Sequence, residues 1–97
     1  MKNQRIIKQI ILLLSEAPNE KMRFELLELF FTANELEQLV ARYNIVKGLT
    51  LAKSTQRELA SLLNLSIAKI TRGSNELKRR SALLKDYLFH HFSHQEK

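Results

Sequence analysis

The sequence predicts an all-α protein, and three observations carry that prediction. Two glycines and one proline among 97 residues leave few helix breakers. Apolar residues recur at i, i+3, i+4 spacing along most of the chain. No stretch alternates apolar and polar residues with the period of two that a half-buried strand requires.

Six helices follow in order. Ile6, Ile7, Ile10, Ile11, Leu13 and Leu14 form a broad aliphatic stripe on a first helix over 5–14. Pro18 and Asn19 mark a turn, because the residue before a proline is pushed out of the helical region. A second helix is expected from Glu20 to Phe31, with Phe24, Leu27, Phe30 and Phe31 on its inner face. Thr32 and Glu35 have capping-box spacing and open a third helix with a stripe of Leu36, Leu39, Val40, Tyr43 and Val46, weakened near its end by Gly48. Thr55 and Glu58 make a second capping box for a short helix through about Leu62. Asn64 suits a tight turn, and Ser66 caps the next helix, whose end is obscured by Gly73-Ser74-Asn75. A last helix covers about Ala82–Phe92, with a frayed tail to Lys97.

Composition excludes several function classes. Without cysteine there is no disulfide scaffold, thiol nucleophile or Cys-ligated zinc site. The longest apolar run, Ile10–Leu14, is far short of the ~18 residues of a membrane span, and no secretion signal is read. The expected address is cytoplasmic. His90 and His94 share a helix face, but a third metal ligand is missing nearby. Neither a nucleophile elbow nor a glycine-rich phosphate loop is found, so an enzyme is not expected.

The charge is uneven. The formal net charge is +6, and residues 53–80 alone carry +5 beside an acidic 16–37 window of −4. A concentrated basic segment on a small domain points to a polyanion, or else is only a solvated face. The apolar stripes also exceed what one short chain buries with ease, which favours a homodimer.

Residues 55–78 contain the pattern that carries function, a capped short helix, a turn and a second capped helix. Ala60 is small where two such helices cross, and Leu59, Leu63, Leu65 and Ile70 form the wedge between them. Ser66 leaves the N-terminus of the second helix aimed outward at DNA. Gln56 and Arg57 can hold phosphates, while Ile67, Ala68, Lys69 and Thr71 can reach base edges or flanking phosphates. The bland alternative is two packed helices of an ordinary bundle.

The stretch Ile70-Thr71-Arg72-Gly73-Ser74-Asn75, with Gln56-Arg57-Glu58-Leu59 and the segment Arg42–Val46, resembles the tryptophan operon repressor family over about residues 25–90. That resemblance implies a single domain over 1–97, a six-helix interlocked homodimer with a helix-turn-helix DNA-reading head in each chain. It implies double-stranded operator DNA as partner and L-tryptophan as corepressor, with no other cofactor. Arg42 and Arg72 would sandwich the indole, and Arg72 would also pair with the ligand carboxylate, as a planar guanidinium can. Gly73 would leave room for the ring, and Thr32 would help hold the carboxylate. Backbone carbonyls around Leu29 and Phe31 of the other subunit would accept from the ammonium. Lys78, inside the resembling stretch, joins the DNA-binding set.

Three residues depart from the family pattern. Glu76 stands where a small hydroxyl residue is usual, and it could pair with the ligand ammonium or with Arg72. Lys69 replaces a common threonine, and Ala60 a common lysine. Two rivals therefore stay open: a regulator of the same fold that does not depend on tryptophan, and a helical interaction protein without a DNA role.

Overall fold

Local chemistry sets most of the helix ends. The structure, a computed structural model, describes residues 2–95 and contains six α-helices, with no strand among those residues. They are α1 Gln4–Glu16, α2 Glu20–Phe30, α3 Ala33–Leu51, α4 Gln56–Leu63, α5 Ile67–Lys78 and α6 Ala82–Gln95. The chain divides into two compact units, Met1–Leu36 and Glu37–Lys97.

In the first unit, α1 ends where Ala17 turns to φ −58°, ψ 135° ahead of Pro18, as the proline ring requires. The Arg23 guanidinium donates to the Ala17 carbonyl at 3.1 Å, and Asn19 caps α2 by accepting from the Met22 N–H at 2.9 Å. Thr32 and Glu35 form the reciprocal capping box expected at the start of α3, at 3.1 and 2.9 Å. Neither α1 nor α2 contains a buried residue. Ile6, Ile11, Leu12, Phe24, Leu29 and Phe30 all stay more than half exposed. Of the expected inner face of the second helix, Phe24 and Phe30 are therefore uncovered within this single chain, while Leu27 is half-buried.

The second unit has a small core. Ile45 of α3, Leu59 and Ala60 of α4 and Ile70 of α5 are buried together, with Leu49, Leu63 and Leu65 packed against them. The wedge expected from the sequence is thus in place. Phe92 of α6 is also buried, its ring edge-on to Tyr43 at 5.6 Å between centroids.

The two glycines sit at the closest approaches to this core. A Cβ on Gly48 would lie 2.5 Å from Leu59 Cδ1, and one on Gly73 would lie 2.6 Å from Ile45 Cγ2. Gly48 lies near the end of α3, as expected, and the helix continues through Leu51. The glycine admits α4.

The differences from expectation have physical causes. α5 runs straight through Gly73-Ser74-Asn75 because packing outweighs weak propensity. Gly73 lies against Ile45, and buried Ser74 accepts from the Gln56 amide at 3.2 Å. α3 stops at Ala52, which takes the left-handed conformation (φ 52°) without being Gly or Asn. α6 extends to Gln95, whose side-chain oxygen accepts from the Tyr43 hydroxyl at 3.3 Å. The last part of the expected frayed tail, 96–97, lies outside the described residues.

Candidate functional site

The site is built on α3, α4 and α5 of the second unit. Thr55 opens α4 with a full capping box: its hydroxyl accepts from the Glu58 N–H at 3.1 Å, and the Glu58 carboxylate accepts from the Thr55 N–H at 2.9 Å. The hydrogen bond from the Thr55 N–H, and after it the Thr55 hydroxyl, hold the Glu58 carboxyl below the ordinary carboxylate range. Asn64 then turns the chain at φ 55°, ψ 46°. Its N–H reaches the Ser61 carbonyl, and the Leu65 N–H reaches Ala60 at 2.9 Å, a Schellman-type closure that returns Leu65 to the core. Ser66 caps α5 by accepting from the Lys69 N–H at 3.2 Å.

This arrangement leaves Ile67, Ala68, Lys69 and Thr71 exposed at or near the start of α5, and Gln56 and Arg57 exposed at the start of α4. Ile70, between them in sequence, is fully buried. One face of α5 is thus anchored while another is presented. Gln56 ties α4 to α5 through Ser74. Lys78 stands apart, at the opposite end of α5 and about 16 Å along its axis from Ile67. Its carbonyl accepts from the Lys85 ammonium at 3.3 Å.

Arg42, Arg72, Gly73 and Glu76 meet at one cleft of about 680 Å³. Val46, Leu77, Leu84 and Leu88 supply its apolar lining, and Asn75, Arg79 and Arg80 complete it. That volume falls within the range of small-molecule sites. Arg42 and Arg72 also line a second cleft of about 290 Å³ with Gln38, Ala41, Ile45 and Lys69. Lys69, which the sequence assigns to DNA alone, therefore also faces the two arginines' surroundings.

Two residues of the cleft make contacts beyond those expected of them. The space beside Gly73 in the Cβ direction is filled by Ile45, so the glycine is needed for helix approach whatever else it does. Glu76 pairs with Arg79 at 3.1 Å and with Arg80, rather than with Arg72. The hydrogen bond from Arg80 and the charge of Arg79 lower its carboxyl pKa, with a smaller contribution from Arg42. These partners stand at i+3 and i+4, a spacing visible in the sequence.

Thr32, Leu29 and Phe31 belong to the first unit. Thr32 spends its hydroxyl on the Glu35 N–H, and Leu29 is 74% exposed at the end of α2.

Elsewhere, the His94 Nδ1 lies 2.6 Å from the His90 carbonyl oxygen, within reach of a donated hydrogen bond. Among the described residues, no group of three or more His, Cys, Asp or Glu could hold a metal ion. No described helix is long and apolar enough to cross a membrane.

Comparison with known proteins places these residues in context. A family model described as "Trp repressor protein" matches residues 5–91. A Trp operon repressor homolog of Vibrio cholerae is 43% identical over 74 residues, covering 76% of this chain and 72% of its own. One from Photobacterium profundum is 41% identical over 81 residues, covering 84% and 79%. One from Chlamydia trachomatis serovar L2 is 38% identical over 90 residues, covering 91% and 96%.

Proposed function

The chain belongs to the Trp repressor family, and on that premise we propose that it is a DNA-binding transcriptional repressor with L-tryptophan as its corepressor. One observation carries the reading. α5 bears the cleft-lining residues Arg72, Gly73 and Glu76 on the same rigid rod as the exposed Ile67, Ala68, Lys69 and Thr71. A ligand seated between Arg42 of α3 and Arg72 of α5 acts on the tilt of α5, and so on the direction of its N-terminal end.

The chemistry fits a flat amino acid. Two guanidiniums on neighbouring helices can stack on the faces of an indole, and one can fork its carboxylate. The arrangement of α5 that grips the ligand is then favoured by the ligand's differential affinity for it. Gln56, Arg57 and Lys78 hold phosphates, Ser66 presents the α5 N-terminus, and the α5 residues read the major groove. The targets are genes of tryptophan biosynthesis or transport.

The acting species is a homodimer. The exposed apolar side chains of α1 and α2 support this, because a run of such residues marks an interaction surface. In the dimer Thr32 helps hold the ligand carboxylate, and backbone carbonyls near Leu29 and Phe31 of the other subunit accept from its ammonium.

A second reading is a regulator of the same fold that ignores tryptophan, favoured by the presence of Glu76 among the arginines of the cleft. Fluorescence polarisation on promoter DNA of tryptophan genes separates the two. L-tryptophan is expected to tighten binding at least tenfold, about 1.4 kcal/mol of coupling, and Arg72→Ala to abolish the response. Equal affinity with and without L-tryptophan selects the second reading, and absence of DNA binding in both conditions refutes both.

A further inference from the structure

The two guanidiniums that close on Glu76 have the geometry of an anion clamp. One carboxylate oxygen, Oε1, takes Arg79 Nη1 at 3.1 Å, and the other, Oε2, takes Arg80 Nη2. A DNA phosphate presents two free oxygens in the same way, and arginine forks suit both anions. We propose that Arg79 and Arg80 are a clamp for a phosphate of the DNA backbone, which the Glu76 carboxylate occupies while the protein is free. The proposal rests on the DNA-binding part of the functional reading and is independent of any ligand in the cleft.

Three observations support the clamp. The first is charge. Lys78, Arg79, Arg80 and Lys85 place four cations and no carboxylate in residues 78–85, the corner between α5 and α6. The second is that capping of α5 does not use them all. Arg80 Nε donates to the Glu76 carbonyl at 3.1 Å and the Lys85 ammonium to the Lys78 carbonyl at 3.3 Å, which accounts for those two cations at a helix C-terminus. The Arg79 guanidinium caps nothing. Its partner among the described residues is Glu76, and its side chain is 72% exposed. The third is ease of exchange. The side chains of Arg80 and Glu76 are 49% and 42% exposed, so neither pair is worth much in water, and both can be traded for a phosphate. The released carboxylate stays beside Arg42, whose charge already acts on it.

The corner lies where the edge of a groove would be. Lys78 is about 16 Å along the α5 axis from Ile67, and a major groove is about 8.5 Å deep. With the α5 N-terminus at the base edges, the residues after Lys78 stand outside the groove, level with or above the phosphates that border it. A long side chain turned back from there meets the backbone and not a base. The clamp therefore adds affinity and fixes the depth and tilt of α5 without reading sequence.

Fluorescence polarisation of the full chain on a random-sequence duplex, over a series of salt concentrations and without L-tryptophan, tests this. Arg79→Gln/Arg80→Gln should weaken binding several-fold at low salt and lower the slope of log affinity against log salt by about one to two counterions per head. Arg79→Lys/Arg80→Lys keeps the charges and should keep most of the slope. Glu76→Gln should tighten binding several-fold in the original chain and far less in the chain lacking both arginines. Residues that served only to cap α5 would change thermal stability and leave the slope alone. An unchanged slope in the glutamine pair, or an equal fall in the lysine pair, therefore overturns the proposal. So does a gain from Glu76→Gln that is the same with and without the arginines, since that is the effect of net charge alone. If the unmodified protein binds neither this duplex nor promoter DNA, the DNA-binding reading fails and takes the clamp with it.

Discussion

Gly73→Ala tests the geometry on which the cleft depends. The new Cβ would stand 2.6 Å from Ile45 Cγ2 and 3.7 Å from Ile45 Cβ, with Leu49 Cδ1 at 3.8 Å. Carbon atoms prefer about 3.5–4.0 Å, so roughly 1 Å must be found at the first contact. Ile45 cannot supply it by rotating. It is β-branched with a restricted χ1, and it is only 2% exposed. Relief must come from moving α5 away from α3. Such overpacking costs about 1–3 kcal/mol, while replacing a mid-helix glycine by alanine returns about 1 kcal/mol of helix propensity. A contact this short falls in the upper part of that range, roughly 2–3 kcal/mol, so the expected net loss is about 1–2 kcal/mol, which for a chain of this size lowers Tm by about 4–8 °C per kcal/mol. Urea unfolding followed by far-ultraviolet circular dichroism measures it. Ile45→Ala removes the clashing methyl, so the double variant should lose less than the sum of the two single losses. A Gly73→Ala protein as stable as the original, or strict additivity with Ile45→Ala, would refute the close approach. The same helix shift should weaken L-tryptophan binding, since Arg42 and Arg72 lie on the two helices forced apart.

Three further outcomes are expected. Thr55→Ala should cost about 1 kcal/mol by removing the α4 cap, and a pH titration of stability should show the capping box failing in acid. Glu58 has a lowered pKa in the folded chain, so its contribution is complete above the unfolded carboxylate value and fades as pH falls through the folded one; stability that does not change through that window would count against the box. Ala52→Gly should stabilise the chain by up to about 1 kcal/mol, because glycine adopts the φ 52° conformation without the Cβ penalty; thermal unfolding would expose a loss instead. Lys69→Ala should weaken DNA binding and reduce the slope of log affinity against log salt by about one counterion per head if its ammonium meets a phosphate, and an unchanged slope would assign it to the cleft it lines beside Arg42 and Arg72.

What could be read from the residues alone was chemistry that closes within a few positions. The boxes at Thr32 with Glu35 and Thr55 with Glu58, the cap at Ser66 and the turn at left-handed Asn64 join groups three to five residues apart, so their hydrogen bonds follow directly from sequence spacing. The pattern of two capped helices about a turn likewise identified Leu59, Leu63, Leu65 and Ile70 as the wedge. The end of α3 escaped notice because Ala52 takes a conformation normally announced by glycine or asparagine. Tertiary structure alone decided that Gly73 faces Ile45 and Gly48 faces Leu59, that Ser74 receives Gln56, and that Lys69 shares a cleft with both arginines. Those pairings join residues far apart along the chain. They depend on the distance and angle at which one helix crosses another, quantities set by the joint packing of many side chains and by no local pattern.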